Sequence, residues 1–360
     1  MDSLPSDPRP GRFDWLFEEP EAAPPPDHEY AIGWQRHATA TPIEPDASTT
    51  ALTGATALLA RLDERLNGLP DFIRDGWLAR MLLEEAAASA RLEGWIVDVE
   101  RLLLLSLHAA VGAPDPHEAQ ALHLLDMLRA VSRRSPRQLF TPLRISALAF
   151  TRERNRTPRP MEWVEVLPDQ GRSSAEALRD YFNGFSWSAY GRQPAVSAAA
   201  DMLARWHGCD TGVAVGGAAG RAMASAALVR LGHCGRPLPC VSIGFLGHAW
   251  SYRPRTADWP FHFSTATERG ARRGLELAAK LRNRHEALTR HFTTRRQERH
   301  LCAAVAHLIA VPAVSARGLA EAVGITQRSA LSLLMDLADA GLLRDLTRRG
   351  SYRVFGLTGL

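Results

Sequence analysis

Residues 212–221 read GVAVGGAAGR, a run of small residues that ends in Arg221 just ahead of an alanine-rich, helical pattern. Such a loop can cradle phosphate: the N–H groups of a helix's first turn lack intrahelical partners, and the helix dipole favours an anion there. Two phosphate chemistries can be checked on spacing alone. A Walker loop, G-x-x-x-x-G-K-[ST], needs a lysine that reaches the outer phosphates, but the chain's one lysine is Lys280, in AAKLRN. A dinucleotide fingerprint needs a strand before its glycines within a βαβ unit, and the preceding AAADMLARWHGCD has a helical pattern. Neither chemistry fits, which leaves a small-residue loop with one arginine, suited to weak anion binding or to close helix packing.

A second set of residues lies near the C-terminus, in SARGLAEAVGITQRSALSLLMDLADAGLL. Ser315 predicts the N-cap of a short helix with Leu319, Ala320 and Val323 facing inward. Gly324 predicts a tight turn, Ile325 a core plug and Thr326 the cap of a second helix. On that helix Ala330, Leu333, Leu334 and Leu337 form an apolar stripe. Gln327, Arg328, Ser329 and Ser332 fall on the other side, and Gly341 ends the helix. LLRDLTRRGSYRVFGL then predicts two short strands around an Arg-Arg-Gly turn. Helix, turn, helix and wing together predict a winged helix-turn-helix, whose second helix enters the DNA major groove. Gln327 and Arg328 suit base edges, and Arg348, Arg349 and Arg353 suit phosphates.

These residues need elements to position them. A chain of 360 residues, 46% hydrophobic, can bury more than one core. Residues 1–50, with EEPEAAPPPDHEY, predict a poorly ordered lead-in. Residues 51–298 carry serial amphipathic patterns, among them TALLARLDERL, WLARMLLEEAAASARLEGW, DVERLLLLSLHAA and PHEAQALHLLDMLRAVSRR, and predict a helical body. MEWVEV at 161–166 reads as strand-like, a helical pattern returns at 174–184, and a long basic helix follows the glycine loop. Residues 299–360 form the winged helix-turn-helix. The fold class expected is mostly α.

The net charge of +4 permits a nucleic-acid partner without demanding one. Cys209, Cys234, Cys240 and Cys302 contain no C-x-x-C pair, which predicts reduced thiols and a cytoplasmic protein. The N-terminus lacks the pattern of a signal peptide and no apolar run reaches membrane-spanning length, so no membrane partner is expected. His207, Cys209, His233, Cys234 and Cys240 lack the spacing of a zinc finger or ribbon, and neither metal nor cofactor is expected.

Several segments resemble Fic-domain proteins, which transfer AMP from ATP to protein hydroxyls. EEAAASARLEGWIVDVERLL is similar to the family's inhibitory helix, with Ser89, Glu93 and Gly94 matching [S/T]-x-x-x-E-[G/N]. PHEAQALHLLDMLRAV, AVSAAADMLARW and the segments after the glycine loop are similar to its other helices, and a C-terminal winged helix also occurs in the family. The resemblance implies a Fic-like helical bundle over residues 51–298. It lays the motif H-P-F-x-x-G-N-G-R-x-x-R on residues 213–224. Val213 then takes the place of the general-base histidine, Gly217 that of the metal-holding acid and Ala219 that of the asparagine. Gly220 and Arg221 match, and Ala224 replaces the second arginine. Valine takes no proton and glycine holds no Mg²⁺, so adenylylation is not expected, and Glu93 is expected to lack the arginine it restrains in the family. RRGSYRVFG and EGWIVDVERL also resemble a group of alphaproteobacterial, often plasmid-borne proteins that join a Fic-like body to a helix-turn-helix.

The expected function is a DNA-binding regulator of transcription or plasmid maintenance with an inactive Fic-like body. Two alternatives stand beside it: a nucleotide-dependent protein-modifying enzyme with an atypical site, and an antitoxin-like regulator that binds protein. A homodimer and a protein partner remain open.

Overall fold

The computed structural model describes residues 45–109, 112–135, 140, 181, 186–208, 216–293, 299–347 and 352–360. The strand-like reading of 161–166 lies outside them, as does the helical one of 174–184 except at Tyr181. The described residues are mostly helical, as the serial apolar periodicity predicts.

Helices α1 (Pro45–Asn67) and α9 (Trp259–Thr293) pack along each other, and α2 (Asp71–Leu92) runs between two apolar cores. One face of α2 carries Ile73, Trp77 and Met81 into a core shared with Leu59, Leu62 and Phe263. Its other face carries Leu82, Leu83, Ala86 and Ala90 against α4 (Pro116–Ser132), which contributes Leu124, Leu125 and Leu128. A helix buried on both sides reads mostly apolar in its middle, MLLEEAAASA, and the polar side chains it does bury there, Glu85 and Ser89, need hydrogen-bond partners. The Trp77 indole donates to the Gly274 carbonyl of α9 at 2.8 Å, so burying the ring leaves no orphan N–H.

The end of α2 is built by its sequence. Glu93 is the C-cap, and Gly94 follows with φ +89. The Trp95 N–H donates to Ala90 O at 2.9 Å and the Gly94 N–H to Arg91 O at 3.1 Å, a Schellman pair. A Cβ on Gly94 would meet nothing within 4 Å. Glycine is therefore favoured here by backbone conformation, not by crowding.

A short helix, α3 (Val99–Ser106), comes next, capped by the Asp98 side chain. A capping box of Asp115 and Glu118, with Pro116 in the first turn, starts α4. After α5 (Trp187–Tyr190), helices α6 (Ala195–Gly208) and α7 (Gly216–Arg230) pack as a pair, and the four-residue α8 (Val241–Gly244) lies against α2 and α9.

Residues 299–360 begin with α10 (Arg299–Ala310) and β1 (Ala313–Ser315), then α11 (Ala316–Val323) and α12 (Gln327–Asp339). Strands β2 (Leu343–Asp345) and β3 (Val354–Leu357) complete an antiparallel sheet of order β1-β3-β2, with Val314 opposite Phe355 and Arg344 opposite Gly356. The Ser315 hydroxyl accepts from Gly318 N–H at 3.1 Å and the Thr326 hydroxyl from Ser329 N–H at 3.1 Å. Gly324 between them has φ +76.

The core does not stop at residue 298. Leu319, Ala330, Leu334, Leu337 and Phe355 continue the one that holds Trp77 and Phe263. Leu104 of α3 and Ala109 just beyond it pack with Ala313 and Val354 of the sheet and with Leu346, which follows β2. The guanidinium of Arg80, on α2, donates to Ile309 O at 2.9 Å and Val311 O at 2.7 Å, where α10 runs into β1. Among the described residues no helix is long and apolar enough to cross a membrane.

Candidate functional site

Glu85 and Ser89 of α2 and Glu93 at its C-cap follow one another at four-residue spacing, and i, i+4 side chains share a helix face. That face meets Arg221, in the second turn of α7, whose side chain is 1% exposed. Its Nη2 donates to Ser89 Oγ at 2.7 Å, Ser89 O at 3.2 Å and Glu93 Oε1 at 2.8 Å. Nε donates to Ser89 Oγ at 3.2 Å and Nη1 to the Tyr252 hydroxyl at 2.9 Å. Protein acceptors thus surround the guanidinium.

Proton positions follow from the same contacts. Burial, with Arg221 and Arg255 nearby, pushes the His207 pKa down to about 4, so the ring is neutral at neutral pH. Burial pushes the Tyr252 phenol up to about 12, so it keeps its proton. The hydroxyl accepts from Arg221 and lies 2.6 Å from His207 Nε2, within hydrogen-bond distance of that nitrogen. The Arg255 Nε donates to the His207 carbonyl at 3.0 Å.

Below this group lies Glu85, 2% exposed. Its carboxylate accepts from the Ser242 and Ile243 N–H groups of α8 at 2.7 and 3.0 Å. Burial raises the Glu85 pKa, and the two backbone N–H groups and Arg221 oppose the rise.

Two sequence expectations change here. Glu93 does have an arginine: Arg221 reaches it. Nor is Arg221 an open anion site, because Ser89, Glu93 and Tyr252 already occupy its donors. The small residues around it serve packing. A Cβ on Gly217 would lie 2.4 Å from Glu93 Oε1 and 2.9 Å from Arg221 Nη1, and one on Gly220 would lie 2.5 Å from Trp206 Cδ1. Ala219 is buried in the α2–α4 core. Val213 lies outside the described residues.

Sequence reasoning missed Glu85 and Tyr252 and set His207 aside. Glu85 had a signal, its four-residue step from Ser89. Tyr252 had none, since only tertiary packing brings it to Arg221.

The other set of residues is on α12. Thr326, Gln327, Arg328, Ser329 and Ser332 are exposed, while Ala330, Leu334 and Leu337 are buried. Arg353 is turned towards the module: its Nη1 lies 3.1 Å from Met335 Sδ, and its Nε lies 3.6 Å from Asp345 Oδ2. It thus has protein partners as well as the solvent-facing side assumed for a wing arginine. Arg348 and Arg349 lie outside the described residues. Arg344, on β2, pairs with Glu100 of α3.

Among the described residues no three His, Cys, Asp or Glu side chains are grouped to hold a metal ion. Cys234 is buried, and burial with nearby Asp63 raises its thiol pKa to about 12. Cys209 lies outside the described residues.

No family model and no curated protein matches the sequence. Among solved structures the chain is similar to a Fic family protein from Desulfovibrio desulfuricans G20, at a TM-score of 0.45 and 14% identity, over 89% of this chain and 98% of that one.

Proposed function

We propose that the chain is a DNA-binding regulator, with residues 299–360 acting as a winged helix-turn-helix and the Fic-like body serving a role other than AMP transfer. The observation that carries this reading is the division of α12. Its buried side holds Ala330, Leu334 and Leu337, while Gln327, Arg328, Ser329 and Ser332 stand exposed beside a capped N-terminus. Gln and Arg are the side chains that bond adenine and guanine edges in the major groove. The antiparallel strands that follow α12 suit a wing over the phosphates.

Two observations support a body that transfers no nucleotide. Val213 stands where the resemblance puts the general base. Arg221, the arginine that matches the family motif, is enclosed by Ser89, Glu93 and Tyr252. The reading extends to transcriptional or plasmid-maintenance control, with DNA as the partner.

The test is selection of genomic DNA fragments by the purified full chain, followed by gel-shift titration of the enriched fragments at two salt concentrations. Enrichment of a common sequence, with binding that weakens as salt rises, is expected. Failure to retain any fragment over background refutes the reading.

A further inference from the structure

Leu331 is a large apolar side chain that the core does not use. It is 41% exposed, on the flank of α12 between the buried stripe of Ala330, Leu334 and Leu337 and the exposed Arg328. It lies one turn beyond Gln327 and Arg328 and next to Ser332, so it sits among the polar side chains of the proposed DNA-reading face. A lone exposed leucine is ordinary on a protein surface. This one differs by its position: among the described residues of 299–360, Leu331 and Tyr352 are the exposed large apolar side chains, one on α12 and one beside β3.

We infer that Leu331 is a specificity-determining residue that packs on the 5-methyl group of a thymine, so that the preferred DNA site carries a thymine beside the base read by Arg328 or Gln327. The inference rests on the DNA-binding reading above. In the major groove the thymine methyl is the apolar feature of the four bases, and an aliphatic side chain is its natural partner. Side chains one turn apart on a helix are about 5–6 Å from each other, and bases on one strand are about 3.4 Å apart. The thymine therefore lies one or two base pairs from the base that Arg328 contacts. Burying a methyl-sized apolar group gives about a three- to fourfold gain in binding.

The experiment replaces each thymine of the tightest selected duplex, one at a time, by deoxyuridine. That change deletes the methyl and leaves base pairing and the minor groove as they were. Titrations use the full chain, its Leu331→Ala variant and its Arg328→Ala variant, each first checked for unchanged thermal unfolding. About three- to fourfold weaker binding is expected at one or two thymines, a loss absent in Leu331→Ala and kept in Arg328→Ala. Equal binding of every deoxyuridine duplex, or discrimination that survives in Leu331→Ala, overturns the inference and leaves the DNA-binding reading standing. Absence of binding to every duplex overturns both.

Discussion

The Glu93 carboxylate accepts from Arg221 Nη2 at 2.8 Å, which ties the C-cap of α2 to the second turn of α7. The pair is unequal: the Arg221 side chain is 1% exposed and the Glu93 side chain 26%. Removing the carboxylate strands a buried cation, and breaking a buried pair in this way costs about 3–5 kcal/mol. Glu93→Ala is therefore expected to lower unfolding stability by about 3 kcal/mol in urea titrations. A loss of about 0.5 kcal/mol or less, as for a surface pair, rejects the buried-pair account.

His207 makes stability depend on pH. Its folded pKa, about 4, lies below the ordinary 6.5, so between these values the unfolded chain binds the extra proton and stability rises with pH. The contribution is complete above pH 6.5, falls away as pH drops to 4, and amounts to at most about 3 kcal/mol. Glu85, whose pKa is raised, contributes in the opposite sense, losing stability as pH rises through its folded value. Comparing unfolding of the native chain with His207→Gln between pH 4 and 6.5 isolates the histidine. The variant should show the shallower slope, and parallel curves argue against a buried neutral ring.

The turn between α11 and α12 requires a left-handed residue at Gly324, φ +76, where a Cβ would meet nothing within 4 Å. The cost of replacement is conformational. Gly324→Ala should destabilise by about 1 kcal/mol, and Gly324→Asn by less, because asparagine tolerates that conformation. Equal thermal midpoints for both variants and the parent contradict the turn as described.

Incubation of the full chain with ATP labelled on the α-phosphate and a protein lysate is expected to leave no covalent label. Placing an acid at residue 217 should not change that. A side chain at residue 217 would meet Glu93 and Arg221, so Gly217→Asp should lower stability without producing label. Label on any protein in the presence of the native chain returns the modifying-enzyme reading.

What the sequence made legible was local. Ser315, Gly324, Thr326 and Gly341 announce caps and turns through neighbours a few residues away, and the structure places each in that role. Ser89, Glu93 and Gly94 were legible through a resemblance to a family motif, and the structure sets Ser89 and Glu93 on one side against Arg221 and Gly94 just past the helix end. The partner of that face was not, because Arg221 lies 128 residues beyond Glu93 and its choice between anion and carboxylate depends on packing. Tyr252 and His207 belong to the same long-range geometry. Arg353 was read as a phosphate contact from its place in an alternating segment, which says nothing of Asp345 or Met335 beside it.

The central claim is that α12 reads DNA, and Arg328 tests it most directly. Equilibrium titration of the tightest selected duplex against the native chain and Arg328→Ala, at the same salt, should show a loss of about 1–3 kcal/mol and relaxed preference at one base position. Equal affinity and unchanged preference in the two proteins would contradict the account.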